Sequence, residues 1–114
     1  MSVKLNTRQV GDVTVIDVSG RITLGEGASV IRDAVRDLTT KENKKILLNL
    51  GDVPYIDSSG MGELVAGYTS VANAGGTLKL LGLTKRAQDL LQITKLYTVF
   101  DVQEDEAHAV RSFA

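Results

Sequence analysis

The sequence predicts an α/β domain with a mixed, largely parallel sheet of about four to five strands and about four helices. Three observations carry this reading. The spacing of apolar residues switches along the chain between a period of two and a period of three to four. After an initial pair of strands, strand-like and helix-like segments alternate, the order that lays strands parallel under helical cover. The composition is globular: 43% hydrophobic, 24% charged and 1 Pro.

Each element follows from its residues. Val3, Leu5 and Thr7 alternate with polar neighbours, as in a half-buried strand. Gly11-Asp12 marks a turn, and residues 13–18 (Val-Thr-Val-Ile-Asp-Val) form a second strand, so the two make a hairpin. Val30, Ile31, Ala34, Val35 and Leu38 share one side of a helix whose other side carries Ser29, Arg32, Asp33, Arg36 and Asp37. Thr23, with Glu26 three residues on, reads as its capping box. Residues 45–50 are a nearly unbroken apolar run, as in a strand covered on both faces.

A second helix spans residues 58–74, with Met61, Leu64, Val65, Tyr68, Val71 and Ala72 facing inward and Gly75-Gly76 ending it. Residues 77–81 are a strand, Ala87, Leu90, Leu91 and Thr94 mark a third helix, and residues 99–102 a last short strand. Residues 104–113 read as a final helix facing inward through Ala107, Val110 and Phe113, its acidic start suited to a helix N-terminus. One domain over residues 1–114 accommodates all of this.

Composition narrows the function. The balance of 13 basic against 14 acidic side chains, net −1, offers no basic stripe for nucleic acid. With 0 Cys there are no disulfides, thiol nucleophiles or thiolate metal sites, which fits a reducing compartment. Apolar runs fall far short of the ~20 residues of a membrane helix. The first residues lack an apolar signal core, so a cytoplasmic location is expected and no membrane partner.

Catalytic chemistry finds little support. His108 is the 1 histidine and reads as a surface position of the last helix. The Gly-x-Ser-x-Gly elbow and the phosphate-binding P-loop are absent, and Gly60-Met61-Gly62 lacks the third glycine of a dinucleotide fingerprint. Asp52 and Asp57 read as turn residues. An enzyme, a cofactor and a metal are therefore not expected.

The segment over residues 52–62 stands out. It joins the most strand-like run to a clear helix, at the carboxyl edge of a parallel sheet, where sites gather. Asp57, Ser58 and Ser59 are all good caps, and capping alone is the plain structural reading. A serine hydroxyl there is also backed by free N–H groups and the helix dipole, which stabilise a phosphoryl group. Such a group adds about −1.5 to −2 charge, felt by a docked partner. Gly60 and Gly62 keep the first turn bare for a close approach.

Asn49-Leu50 followed by Ile56-Asp57-Ser58-Ser59-Gly60-Met61-Gly62 resembles the signature of bacterial anti-sigma factor antagonists, stand-alone members of the STAS domain family (sulfate transporter and anti-sigma antagonist). Gly20-Arg21-Ile22 is similar to the family's first strand-to-helix turn, and residues 90–96 with Val99-Phe100 to its third helix and last strand. The resemblance implies a switch. The unphosphorylated protein binds an anti-sigma factor that is a serine kinase, which releases the sigma factor. Phosphorylation of Ser58 ends that binding, and a serine phosphatase resets it. Ser59 is the second candidate acceptor.

By the same resemblance Asp57, Ser59, Gly60 and Met61, with Arg21, Thr23 and Gly25, form the partner surface. The chain departs from the family twice. Thr23 stands where an acidic residue is common, and Lys95 where Gly is common. The alternative is a non-phosphorylated STAS adaptor subunit of a signalling or lipid-transport complex. A small hydrolase built on Ser58 and Asp57 lacks a neighbouring general base.

Overall fold

Lys4–Val10 (β1) turns back on Val13–Ser19 (β2) in an antiparallel ladder from Lys4↔Ser19 to Val10↔Val13. Gly11 in the two-residue connection has φ +63, a region glycine enters without steric cost. The structure, a computed structural model, describes residues 3–23, 26–41 and 43–113. Beyond the hairpin the order is Glu26–Thr40 (α1), Lys45–Asp52 (β3), Ser58–Asn73 (α2), Thr77–Leu81 (β4), Lys85–Thr94 (α3), Val102–Gln103 (β5) and Glu106–Arg111 (α4). The sheet order is β1-β2-β3-β4-β5, with β2 to β5 parallel. The expected mixed, largely parallel α/β sheet is what forms.

Each parallel strand is added on the same side of its predecessor, so right-handed crossovers place α1, α2 and α3 on one face. That face holds the main core. Ile16, Val18, Ile46, Leu48, Leu50, Leu78 and Leu80 of the sheet pack against Ile31, Val35, Met61, Leu64, Val71, Ala87 and Leu91 of the helices. A smaller cluster of Val13, Val15, Leu47 and Leu81 lies on the other face beneath Ala109 of α4. β3 is therefore covered on both sides, as its apolar run predicts. Among the described residues no helix is long and apolar enough to cross a membrane.

Charged side chains tie α4 to that second face. Arg8 donates from Nε to Asp17 Oδ2 at 2.6 Å and from Nη1 to Glu106 Oε2 at 3.0 Å, while Asn49 donates to Asp17 Oδ1 at 2.9 Å. Lys79 Nζ reaches Asp101 Oδ2 at 3.0 Å and donates to Ser112 O and Oγ at 2.9 Å. The Arg8 hydrogen bonds hold the Asp17 carboxyl down at about 2 and lower that of Glu106. A carboxyl whose folded value lies below its unfolded one stabilises above the ordinary carboxylate range, and this is lost as pH falls toward the folded value. Denaturant unfolding from about pH 5 down to about pH 2 is thus expected to show wild type losing more stability than Arg8→Ala. Parallel losses in the two proteins would refute it.

Some boundaries differ from expectation. The last strand is Val102–Gln103, not residues 99–102, and pairs with Leu80–Leu81. Leu96–Thr98 coils into a 3-10 turn, and Phe100 is buried with its ring edge-on to Tyr68 at 5.7 Å. The apolar character of Val99-Phe100 serves packing, not a ladder. The final helix is shorter than residues 104–113, because Asp105 caps it by accepting from His108 N at 2.9 Å. Ala72, expected inward, is exposed. α1 begins at Glu26, not at a Thr23 cap; Thr23 contributes its backbone carbonyl, which accepts from Ala28 N at 3.2 Å. Lys95 does take the left-handed cap of α3, with φ 62, at a cost of about 1 kcal/mol relative to glycine.

Candidate functional site

Two loops meet at the carboxyl edge of the sheet, one after β2 and one after β3. Their backbones exchange hydrogen bonds: Gly20 N donates to Asp52 O (3.3 Å), Ile22 N to Tyr55 O (3.0 Å) and Asp57 N to Ile22 O (3.1 Å). Ile22 and Ile56 form a parallel bridge, and both side chains are buried. The junction is close. A Cβ on Gly60 would sit 2.4 Å from Ile22 O, so only glycine lets α2 start here.

Asp57 caps α2. Its backbone is extended, with φ −88 and ψ 176, and its Oδ1 accepts from Gly60 N at 2.6 Å. The helix then opens with Ser58 and Ser59, both exposed. The Ser58 hydroxyl stands on the first turn, where N–H groups without helical partners and the dipole favour negative charge.

A groove of about 390 Å³ runs beside Ser58. One wall is Tyr55 to Ser58, and the other is Arg86, Asp89, Leu90 and Ile93 of α3. The Arg21 and Arg86 guanidinium carbons lie 4.9 and 5.6 Å from the Tyr55 ring centroid. Ile93 is 79% exposed, an unusual setting for a large apolar side chain.

The STAS domain family model matches residues 4–109. This chain belongs to the STAS domain family. It is 29% identical over 102 residues to the anti-sigma-B factor antagonist of Bacillus subtilis (strain 168), covering 90% of this chain and 92% of that protein. Among solved structures it is similar to an anti-sigma factor antagonist from Mycobacterium paratuberculosis, with a TM-score of 0.86, 19% identity and coverage of 98% and 94%. It is also similar to the Bacillus cell fate determinant SpoIIAA in its phosphorylated form, with a TM-score of 0.74, 18% identity and coverage of 97% and 100%. At these identities the two structures speak for the fold.

In this STAS domain the expected site residues separate into two groups. Ser58, Ser59 and Arg21 are exposed, and Asp57 and Thr23 are half-buried. Gly60 and Met61 are corrected. Both are buried, Met61 at 1% exposure in the main core and Gly60 against Ile22, so neither side chain position is open to a partner. The bareness of Gly60 serves the loop junction; Gly62 is exposed, with open space around it. Gly25 lies outside the described residues.

His108 lines a different groove, between α3, β5 and α4, which Ser58 does not share. No cluster of three or more potential metal ligands occurs among the described residues. Sequence reasoning missed the α3 wall. Its signal was present: Arg86, Asp89, Leu90 and Ile93 recur at helical spacing, offset from the inward Ala87 and Leu91.

Proposed function

We propose that this STAS domain is an anti-sigma factor antagonist that works by partner switching in the cytoplasm. The unphosphorylated domain binds an anti-sigma factor that is a serine kinase, through the carboxyl-edge surface around Ser58, and the sigma factor goes free. The kinase then transfers the γ-phosphoryl group of ATP to Ser58 Oγ. An O–P bond forms, the hydroxyl proton leaves and ADP departs. The new charge ends the complex until a serine phosphatase hydrolyses the phosphoester.

One observation carries the reading: Ser58 is exposed on the first turn of α2, held there by an Asp57 cap and by two loops bound together. The names of its relatives support it. The chain contributes an acceptor hydroxyl, and the donors of the first turn tolerate what is attached to it.

The test is direct. Incubation with ATP and the serine kinases of the same genome is expected to add one phosphate by mass, lost in Ser58→Ala. Addition that persists in Ser58→Ala moves the acceptor to Ser59. No addition under any of those kinases overturns the switch in favour of the non-phosphorylated adaptor.

A further inference from the structure

The groove beside Ser58 carries cationic groups that the switch does not yet use. Arg86 reaches it from α3, and Arg21 approaches the same Tyr55 ring from the loop after β2. Neither guanidinium enters an ion pair among the described residues; stacking on a ring fixes a guanidinium plane and leaves its N–H donors unspent. The acids nearby are already engaged. Asp57 Oδ1 accepts from Gly60 N, and Asp89 Oδ1 takes Lys85 Nζ at 3.2 Å. The groove that Ser58 lines thus also offers, from Arg86, a planar fork of donors. A phosphoryl group has three acceptor oxygens that match such a fork.

We propose that Arg86, assisted by Arg21, receives the phosphoryl group of phosphorylated Ser58 as a clamp within the same chain. This rests on the reading of Ser58 as the modified residue. The clamp draws the phosphate over the groove rather than leaving it in water. Phosphorylation then fills the space between Tyr55 and α3 and cancels its cations. The surface loses its shape and its open arginine donors together, so a partner that uses either one is released.

The charged and titratable groups facing the phosphate are Asp57 and Tyr55 of the loop after β3, Arg21 of the loop after β2, and Lys85, Arg86 and Asp89 of α3. Three cations, Arg21, Lys85 and Arg86, stand against the two carboxylates of Asp57 and Asp89, so the balance favours the dianion. The second ionisation of phosphoserine, near pH 6 in water, is therefore expected to lie lower in this setting.

The experiment places phosphoserine at position 58 during translation, so no kinase is needed. A phosphorus NMR titration then reads the second ionisation. Its midpoint is expected to rise by about half a unit in Arg86→Gln, by less in Arg21→Gln and by most in the double variant. Arg111→Gln on α4 is expected to leave it unchanged. Independently of any variant, the Arg86 Nε–H resonance is expected to move between the unmodified and phosphorylated proteins. Equal midpoints in wild type and Arg86→Gln, or an unmoved Arg86 resonance, overturn the clamp. A kinase that fails to label Ser58 counts against the switch instead, and leaves this measurement in force.

Discussion

Ser58→Asp is expected to weaken binding of the anti-sigma factor about a hundredfold, or about 2.7 kcal/mol, while the domain stays folded. The two halves of this expectation have separate causes. A carboxylate on the first turn of α2 sits where the helix dipole and the free N–H groups favour negative charge, so the fold tolerates it. The same charge, forced against a docked protein, must shed water without a partner prepared for it, and that cost reaches several kcal/mol. Exposure of Ser58 is what separates the two effects. Calorimetric titration with the purified partner, beside thermal melts of both proteins, checks it. A melting temperature within a few degrees of wild type together with lost binding supports the switch. Loss of the fold in Ser58→Asp would show the position to be structural.

Gly60→Ala is expected to destabilise the domain by about 2–3 kcal/mol, lowering its melting temperature by roughly 10 °C. Alanine is the better helix former by about 1 kcal/mol, so propensity alone predicts the opposite sign. Packing decides. The added methyl carbon would lie 2.4 Å from Ile22 O and 2.9 Å from Ile22 Cγ2. Ile22 is fully buried and cannot retreat without releasing Asp57 N, which its carbonyl holds at 3.1 Å. Gly62→Ala, two residues on, meets nothing within 4 Å and is expected to gain the helix-propensity increment. Melting the pair side by side gives opposite signs if the loop junction is as tight as described. A Gly60→Ala protein as stable as wild type would contradict it.

Much of the fold was legible because local pattern and long-range packing agree. The apolar residues of β3 are buried on both faces, and the inward stripes of α1 and α2 are largely the ones that spacing predicts. The site was legible in part. Asp57, Ser58 and Ser59 advertise a helix start through their own chemistry, and that is where α2 begins. Met61 is buried, as its place in the inward stripe of α2 predicts, and Gly60 turns toward Ile22, because one helical turn carries residues from solvent to core.

What stayed hidden depends on contacts between distant segments. β5 is placed by hydrogen bonding to Leu80 and Leu81, a choice that the apolar Val99-Phe100 obscures. Arg8 meets Glu106 only because the chain returns to the hairpin after all its crossovers. The groove beside Ser58 exists because α3 lands next to Tyr55: the spacing of Arg86, Asp89, Leu90 and Ile93 marks a shared helix face but not what that face lies against.

Ile22 gives its amide to one loop residue and its carbonyl to the next helix's cap, so two stretches remote along the chain share one support. Hydrogen bonds thus join the described parts of the two loops into one piece of the carboxyl edge. On the function proposed above, a protein settling on it would meet a preset contour and spend little ordering entropy there, and disturbance at either stretch would reach the serine that both hold up.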